Sequence, residues 1–269
     1  MATSKTFFYA KNLADVFYQL KTISDLTITG GCTSFVGKSL PEKTLSVRDI
    51  PELKTINKHE RYIAFGAAVT LSEIEELGEA NLPPCVYTAI TTIANPSVRN
   101  IATIGGNICT KGFFNTLYAP LLALDARLEF QNDTDTTSQS ISRFERIPDG
   151  TLLSKIRVPT EEWEVAVFRR LGPPNSLNEL SASFVFLANS QKNQISDLRI
   201  AFAGSFKFRD TNLENKLIGA HLPLSQTAIS NFLLEAEEAF NKATESERIE
   251  PILKKQFWNL VKYSLEQLT

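Results

Sequence analysis

Histidine and cysteine are scarce in this chain, and each scarcity removes a class of chemistry. Only two histidines, His59 and His221, occur in 269 residues, both among charged or loop-forming neighbours with no second ligand at a metal spacing. No serine, histidine and acid constellation stands out, and a hydrolytic nucleophile needs a partnered base. The three cysteines, Cys32, Cys85 and Cys109, are too few and too scattered for a disulfide framework, a zinc site or a four-thiolate iron–sulfur cluster. Charge of one sign is also missing. The 28 basic and 30 acidic residues leave a net −2, so neither nucleic acid nor an anionic membrane is an expected partner. No apolar run approaches the roughly 20 residues that cross a bilayer, and the opening Met-Ala-Thr-Ser-Lys lacks a secretory core, which points to a cytoplasmic protein. An enzyme built from this inventory needs a cofactor to carry its chemistry.

Two glycine pairs dominate what is present: Thr29-Gly30-Gly31-Cys32-Thr33-Ser34 and Ala102-Thr103-Ile104-Gly105-Gly106-Asn107. A phosphate needs backbone N–H groups turned toward it in a tight curve, and glycine permits both positive φ and close approach. A lone diglycine after an alternating segment such as Leu26-Thr27-Ile28-Thr29 is most often a turn ending a strand. Here the motif occurs twice, each time followed by small polar residues suited to phosphate oxygens: Thr33 and Ser34, then Asn107 and Thr110. Two such turns can clamp a dinucleotide's pyrophosphate.

With 43% hydrophobic and 22% charged residues the chain has a sizeable core and the length of one large or two ordinary domains. Leu13, Val16, Phe17 and Leu20 predict an opening helix, followed by a strand at Leu26 and Ile28 and the first glycine turn. Leu45 and Val47 predict a strand, Pro51-Glu52-Leu53 a turn, and Tyr62 to Val69 an alternating strand. Thr70-Leu71-Ser72-Glu73 is a capping box that starts a short helix ended by Gly78. A helix over Pro84 to Ala94 is broken by Asn95-Pro96, and the second glycine loop follows directly. Leu117 to Asp125 reads as a helix on a core, Arg127 to Phe130 as a strand, and Gln131 to Ser142 as a polar surface loop. After Thr151 come strand-like runs at Leu152 to Val158, Val165 to Arg170, Ser181 to Leu187 and Leu198 to Phe206, fitting antiparallel hairpins. Two helical stripes close the chain, Ile229 to Phe240 and Leu253 to Leu268.

The stretch Asn95-Pro96-Ser97-Val98-Arg99-Asn100-Ile101-Ala102-Thr103-Ile104-Gly105-Gly106-Asn107-Ile108, followed by Leu121 to Ala126, resembles the FAD-binding subunit of the molybdenum hydroxylases, the group of xanthine dehydrogenase and carbon monoxide dehydrogenase. Ile50 to Leu53, Gly66 to Leu71, Phe168 to Gly172 and Leu198 to Gly204 support the resemblance, which covers nearly the whole chain. It implies an α+β chain with a two-subdomain FAD-binding fold over 1–160, split near 55, then a C-terminal domain over 161–269 with an antiparallel sheet and a helical bundle. It also implies that Ile28, Thr29, Gly30, Gly31, Cys32, Thr33, Ser34 and Phe35 form one FAD loop and that Ala102, Thr103, Ile104, Gly105, Gly106 and Asn107 form the second, facing it across a cleft. Ile93 and Leu153 match positions packing near the flavin ring, and Arg169 a basic position beside it, where a cation favours anionic reduced flavin. The implied role is electron relay. A molybdopterin subunit oxidises the substrate, a two-iron, two-sulfur ferredoxin-like subunit passes electrons to non-covalent FAD, and NAD or another acceptor discharges it, with no metal in this chain.

The chain departs from the family pattern where Ser34 replaces an aspartate and Asn115-Thr116 a serine–aspartate pair, leaving Thr116 one hydrogen bond in place of two charge-assisted ones. Lys111-Gly112-Phe113-Phe114 puts two rings where the family has a small segment, and Pro173-Pro174-Asn175 replaces a basic pair. Cys32 stands where more distant flavoproteins carry a covalently linked histidine. Two alternatives remain open: a scaffold that has lost FAD, and a stand-alone flavin oxidoreductase acting on a small molecule.

Overall fold

The elements in chain order are β1 (Thr6–Tyr9), α1 (Leu13–Thr22), β2 (Thr27–Thr29), β3 (Lys43–Ser46), β4 (Ile56–Lys58), β5 (Tyr62–Gly66), α2 (Leu71–Glu75) and α3 (Pro84–Thr91). Next come α4 (Pro96–Arg99), α5 (Ile104–Cys109), α6 (Tyr118–Ala123), β6 (Arg127–Gln131), β7 (Thr136–Ser140) and β8 (Leu152–Pro159). The last are β9 (Val165–Leu171), β10 (Ala182–Gln191), β11 (Gln194–Ala203), β12 (Lys207–Phe208), α7 (Thr211–Asn215), α8 (Gln226–Ala243) and α9 (Pro251–Glu266). This computed structural model describes residues 5–110, 112–174, 176–245 and 249–269. Lys111 and Asn175, named among the departures above, lie outside the described residues. The chain divides into two units: Met1–Leu82, Ala94–Thr110 and Asp125–Thr160 form the first, and Pro83–Ile93, Lys111–Leu124 and Glu161–Thr269 the second.

The first unit holds two sheets. One is parallel and three-stranded, in the order β1-β3-β2. Helix α1 starts at Asn12, whose side chain accepts the Asp15 amide, and buries Val16 and Phe17 with Leu45, Val47 and Ile50. The second sheet is antiparallel with the order β4-β5-β8-β6-β7. Its β5 and β8 place Ile63, Phe65, Ile156 and Val158 on the buried face. The capping box forms in full: Thr70 accepts from the Glu73 amide while Glu73 accepts from the Thr70 amide at 2.7 Å, and Gly78 at φ 82° follows the helix.

Two expectations fail here. β1 precedes the predicted opening helix, and it escapes notice because Phe7 and Tyr9 on this edge strand are exposed rather than alternating into a core. Gln131 to Ser142 is not wholly loop, since Thr136–Ser140 pairs antiparallel with β6. Its polar side chains are mostly exposed, so main-chain pairing rather than burial makes it a strand.

The second unit is built on an antiparallel sheet of order β12-β11-β10-β9, with the hairpins the sequence predicts. Phe184, Phe202, Phe206 and Phe208 meet Phe240 of α8 and Phe257 of α9, which stack on each other at 4.1 Å. Helix α6 packs on β10 and β11, and α3 on β9. β10 therefore buries both faces and reads as a continuous apolar run. Buried Glu214 in α7 accepts the Ile200 amide at 2.8 Å and the Arg209 guanidinium at 2.9 Å; burial pushes its pKa above the ordinary carboxylate value, and Arg209 opposes that rise.

Candidate functional site

The first glycine segment leaves the sheet after β2, where Thr29 is buried and its hydroxyl donates to the Leu45 carbonyl at 3.2 Å. A 3₁₀ turn over Thr33–Phe35 follows, entered through Cys32 in the left-handed region at φ 56°. Among the described residues, the consecutive amides of Gly30, Gly31, Cys32, Thr33 and Ser34 donate to no protein acceptor; the next bond is Phe35 N–H to the Cys32 carbonyl. A run of main-chain donors in a tight curve, with two hydroxyls beside it, is a concavity suited to an anion.

The glycines here serve close approach rather than positive φ, which neither pair adopts. A Cβ on Gly31 would collide with the Ile101 carbonyl, and one on Gly30 would lie 2.5 Å from the Thr103 hydroxyl. The two segments thus touch at these points instead of facing across a gap. The left-handed residue is Cys32, not a glycine.

The second glycine segment is helical. Thr103 caps α5, its hydroxyl accepting the Gly106 amide at 3.0 Å, and Gly105 and Gly106 lie in the first turn. The remaining amides are also committed: Ile104 to Val69 O, Gly105 to Ala67 O and Asn107 to Thr103 O. Ala102 gives its carbonyl to the Leu71 amide. A Cβ on Gly105 would lie 2.6 Å from the Ala67 carbonyl, whereas one on exposed Gly106 would meet only the Thr103 hydroxyl at 3.0 Å. The first segment thus carries a run of free amides and the second does not, because it caps and pairs its own.

A brace missed in the sequence holds this arrangement. Asn95 and Pro96 do not merely break a helix; Asn95 caps α4, which ends in Arg99. Arg99, 8% exposed, donates through Nε to Glu75 of α2 at 2.8 Å, through its second terminal nitrogen to the other Glu75 oxygen at 3.3 Å, and to the Ala94 carbonyl. Two residues later comes Ile101, the rest on which Gly31 sits. Nothing in the polar surroundings of Arg99 in the sequence signals its burial, and no spacing ties 75 to 99.

Ile28 and Phe35 are half-buried in the same unit, and Leu153 is buried in β8 opposite Phe130. Ile93, Thr116 and Arg169 belong to the second unit. There Ile93 follows α3, Thr116 is buried, and Arg169 lies 5.6 Å over the Tyr263 ring and donates to the Phe168 carbonyl. Phe113 sits edge-on to Tyr118 at 4.8 Å beneath Lys207, its amide bonded to the Gly204 carbonyl. Burial pushes the thiols of Cys85 and Cys109 up to about 12, which disfavours the reactive thiolate in both. Among the described residues, no group of three or more potential ligands could hold a metal, and no helix is long and apolar enough to cross a membrane.

Comparison with known proteins gives the family and the fold. The family described as the FAD binding domain in molybdopterin dehydrogenase matches residues 3–161. An indole-3-acetaldehyde oxidase of Zea mays is 29% identical over 231 residues, 77% of this chain, and the chain spans only 16% of that relative's length. The nicotinate dehydrogenase FAD-subunit of Eubacterium barkeri is 25% identical over 51% of this chain and 49% of its own. In structure, carbon monoxide dehydrogenase from Hydrogenophaga pseudoflava superposes with a TM-score of 0.82 at 18% identity, covering 98% of this chain and 96% of that one, a likeness of fold. With more than half its length matched, the chain belongs to the family of FAD-binding domains of molybdopterin dehydrogenases.

Proposed function

We propose that this chain is a cytoplasmic, FAD-carrying electron-transfer subunit of a multi-subunit molybdenum hydroxylase. It takes electrons from a two-iron, two-sulfur ferredoxin-like partner, itself fed by a molybdopterin subunit, and passes them to NAD or another acceptor. The observation that carries this reading is the run of unengaged amides from Gly30 to Ser34, braced from behind by Ile101 and Thr103. That donor set would suit a diphosphate, because its N–H groups would pair with anionic oxygens without breaking an existing hydrogen bond. Ile28 to Phe35 hold the diphosphate, and Ala102 to Asn107 supply shape, with bare Gly106 leaving room for it. By the family resemblance, Ile93, Leu153, Thr116 and Arg169 are assigned to the cofactor as well. Bound FAD supplies the exchange of electrons between one-electron and two-electron carriers. On this reading substrate hydroxylation, with its acid and base, belongs to the molybdopterin partner.

The test is direct. Purified protein is expected to hold one FAD per chain, released intact on denaturation and reducible by NADH. Absence of flavin absorbance even after FAD is added overturns the proposal and leaves a scaffold, the reading favoured by Ser34 and Thr116 standing where carboxylates are expected. Flavin reduction by a small metabolite other than a nicotinamide nucleotide, without partner subunits, overturns the relay in favour of a stand-alone oxidoreductase.

A further inference from the structure

The second sheet of the first unit has a face that the cofactor reading does not use. While Ile63, Phe65, Ile156 and Val158 point into the core, the intervening positions Tyr62, Ala64, Lys155 and Arg157 occupy the opposite face. With Ile56, Asn57, Lys58 and His59 they line a cleft of about 510 Å³, a size typical of small-molecule sites.

Its chemistry is one-sided. No Asp or Glu lines it, although the chain as a whole is net acidic. Arg157 pairs with Glu129, and Lys58 donates to the Asn81 side chain at 3.1 Å, but the Lys155 ammonium has no partner among the described residues. The three cations of the lining are therefore balanced by a single carboxylate, that of Glu129, which is not itself part of the lining. One wall is aromatic: His59 stacks on Tyr62 with centroids 4.4 Å apart and planes 23° apart, and the Arg157 guanidinium lies 5.4 Å from the centroid of the same Tyr62 ring. Such a wall receives a planar group, and unbalanced cations receive an anion.

We propose that this cleft binds a small planar anion of the nucleoside-monophosphate class, its phosphate on Lys155 and Arg157 and its base against His59 and Tyr62. The volume exceeds what inorganic phosphate needs, and the cations form a pocket rather than the extended stripe that would track a nucleic-acid backbone.

The probe is AMP, titrated calorimetrically into protein kept in excess FAD so that the flavin site cannot take it up. One AMP per chain is expected, with affinity falling as salt rises. Lys155→Ala removes an amine that holds nothing in the fold and is expected to weaken AMP by about tenfold or more. Arg157→Gln should do likewise, with its folding checked by circular dichroism because it strips Glu129 of its partner. Adenosine and ribose 5-phosphate should each bind more weakly than AMP. The proposal is overturned if AMP does not bind, if Lys155→Ala binds it unchanged, if FAD displaces it, or if ribose 5-phosphate matches it. FAD occupancy is read separately from flavin absorbance, so failure of the cofactor reading is distinguishable from failure of this one.

Discussion

Replacing Gly31 and Gly106 separately by alanine distinguishes what the fold requires from what a bound diphosphate requires. At Gly31 the added methyl meets the Ile101 carbonyl, a backbone atom in a segment tied down by the Arg99–Glu75 pair, so one of two main chains must retreat by roughly 1 Å. Overpacking of this kind costs about 1–3 kcal/mol, and with roughly 2–4 °C lost per kcal/mol in a protein of this size the melting temperature drops by about 2–12 °C. The five donor amides shift with the loop, so FAD affinity falls as well. At Gly106 the methyl meets only a hydroxyl at 3.0 Å in a helix, where alanine gains about 0.8–1 kcal/mol over glycine in propensity. Stability should therefore stay level or rise, while FAD affinity still drops because the methyl enters exposed space assigned to the cofactor. Thermal unfolding by circular dichroism and flavin fluorescence titration measure the two quantities. A Gly31→Ala protein that melts and binds FAD as the parent does refutes the packing argument, and a Gly106→Ala protein with undiminished FAD affinity refutes the placement of the ligand.

Glu75→Gln removes the carboxylate charge that Arg99, whose side chain is 9% exposed, is paired with, and is expected to cost about 2–4 kcal/mol in urea unfolding, reduced from a fully buried pair because Glu75 is partly exposed; no loss would mean that the other contacts of the guanidinium suffice to hold it. For Glu214 the sign follows from burial. Its folded pKa lies above the ordinary 4.5, so the folded state holds the proton more tightly, and the carboxyl favours folding below that value and loses this contribution as pH rises through the folded pKa. The stability difference between the parent and Glu214→Gln should then shrink as pH climbs from about 4.5, followed by fluorescence of Trp163 and Trp258, both in the second unit; a difference that grows with pH contradicts it. Brief alkylation of the native protein at neutral pH should label Cys32 and spare Cys85 and Cys109, and FAD should slow the labelling, as peptide mass spectrometry would show.

The periodic elements were legible because burial wrote them. The apolar stripe of α8, the strands around Phe184 and Phe202 and the Thr70 capping box all follow from local pattern. β1 and β7 were not, since each owes its extended form to main-chain pairing with a neighbour distant in the chain or to an edge position that demands no alternation. The glycine pairs were legible as unusual, but their reasons were not. Positive φ belongs to Cys32, and the glycines serve contacts with Ile101, Thr103 and Ala67 that no spacing reveals. The same holds for Arg99 with Glu75 and for the basic face of β8, where Lys155 and Arg157 alternate visibly but gain meaning only beside His59 and Tyr62.

The interleaving of the two units bears on synthesis. The chain passes from one to the other after residues 82, 93, 110, 124 and 160. Emerging from the ribosome, α6 is therefore finished long before β10 and β11, the strands that cover Tyr118, Leu121 and Leu122. Until residues 182–203 have been made, the nascent polypeptide carries that greasy helix uncovered, and neither unit can be exchanged as one continuous stretch of sequence.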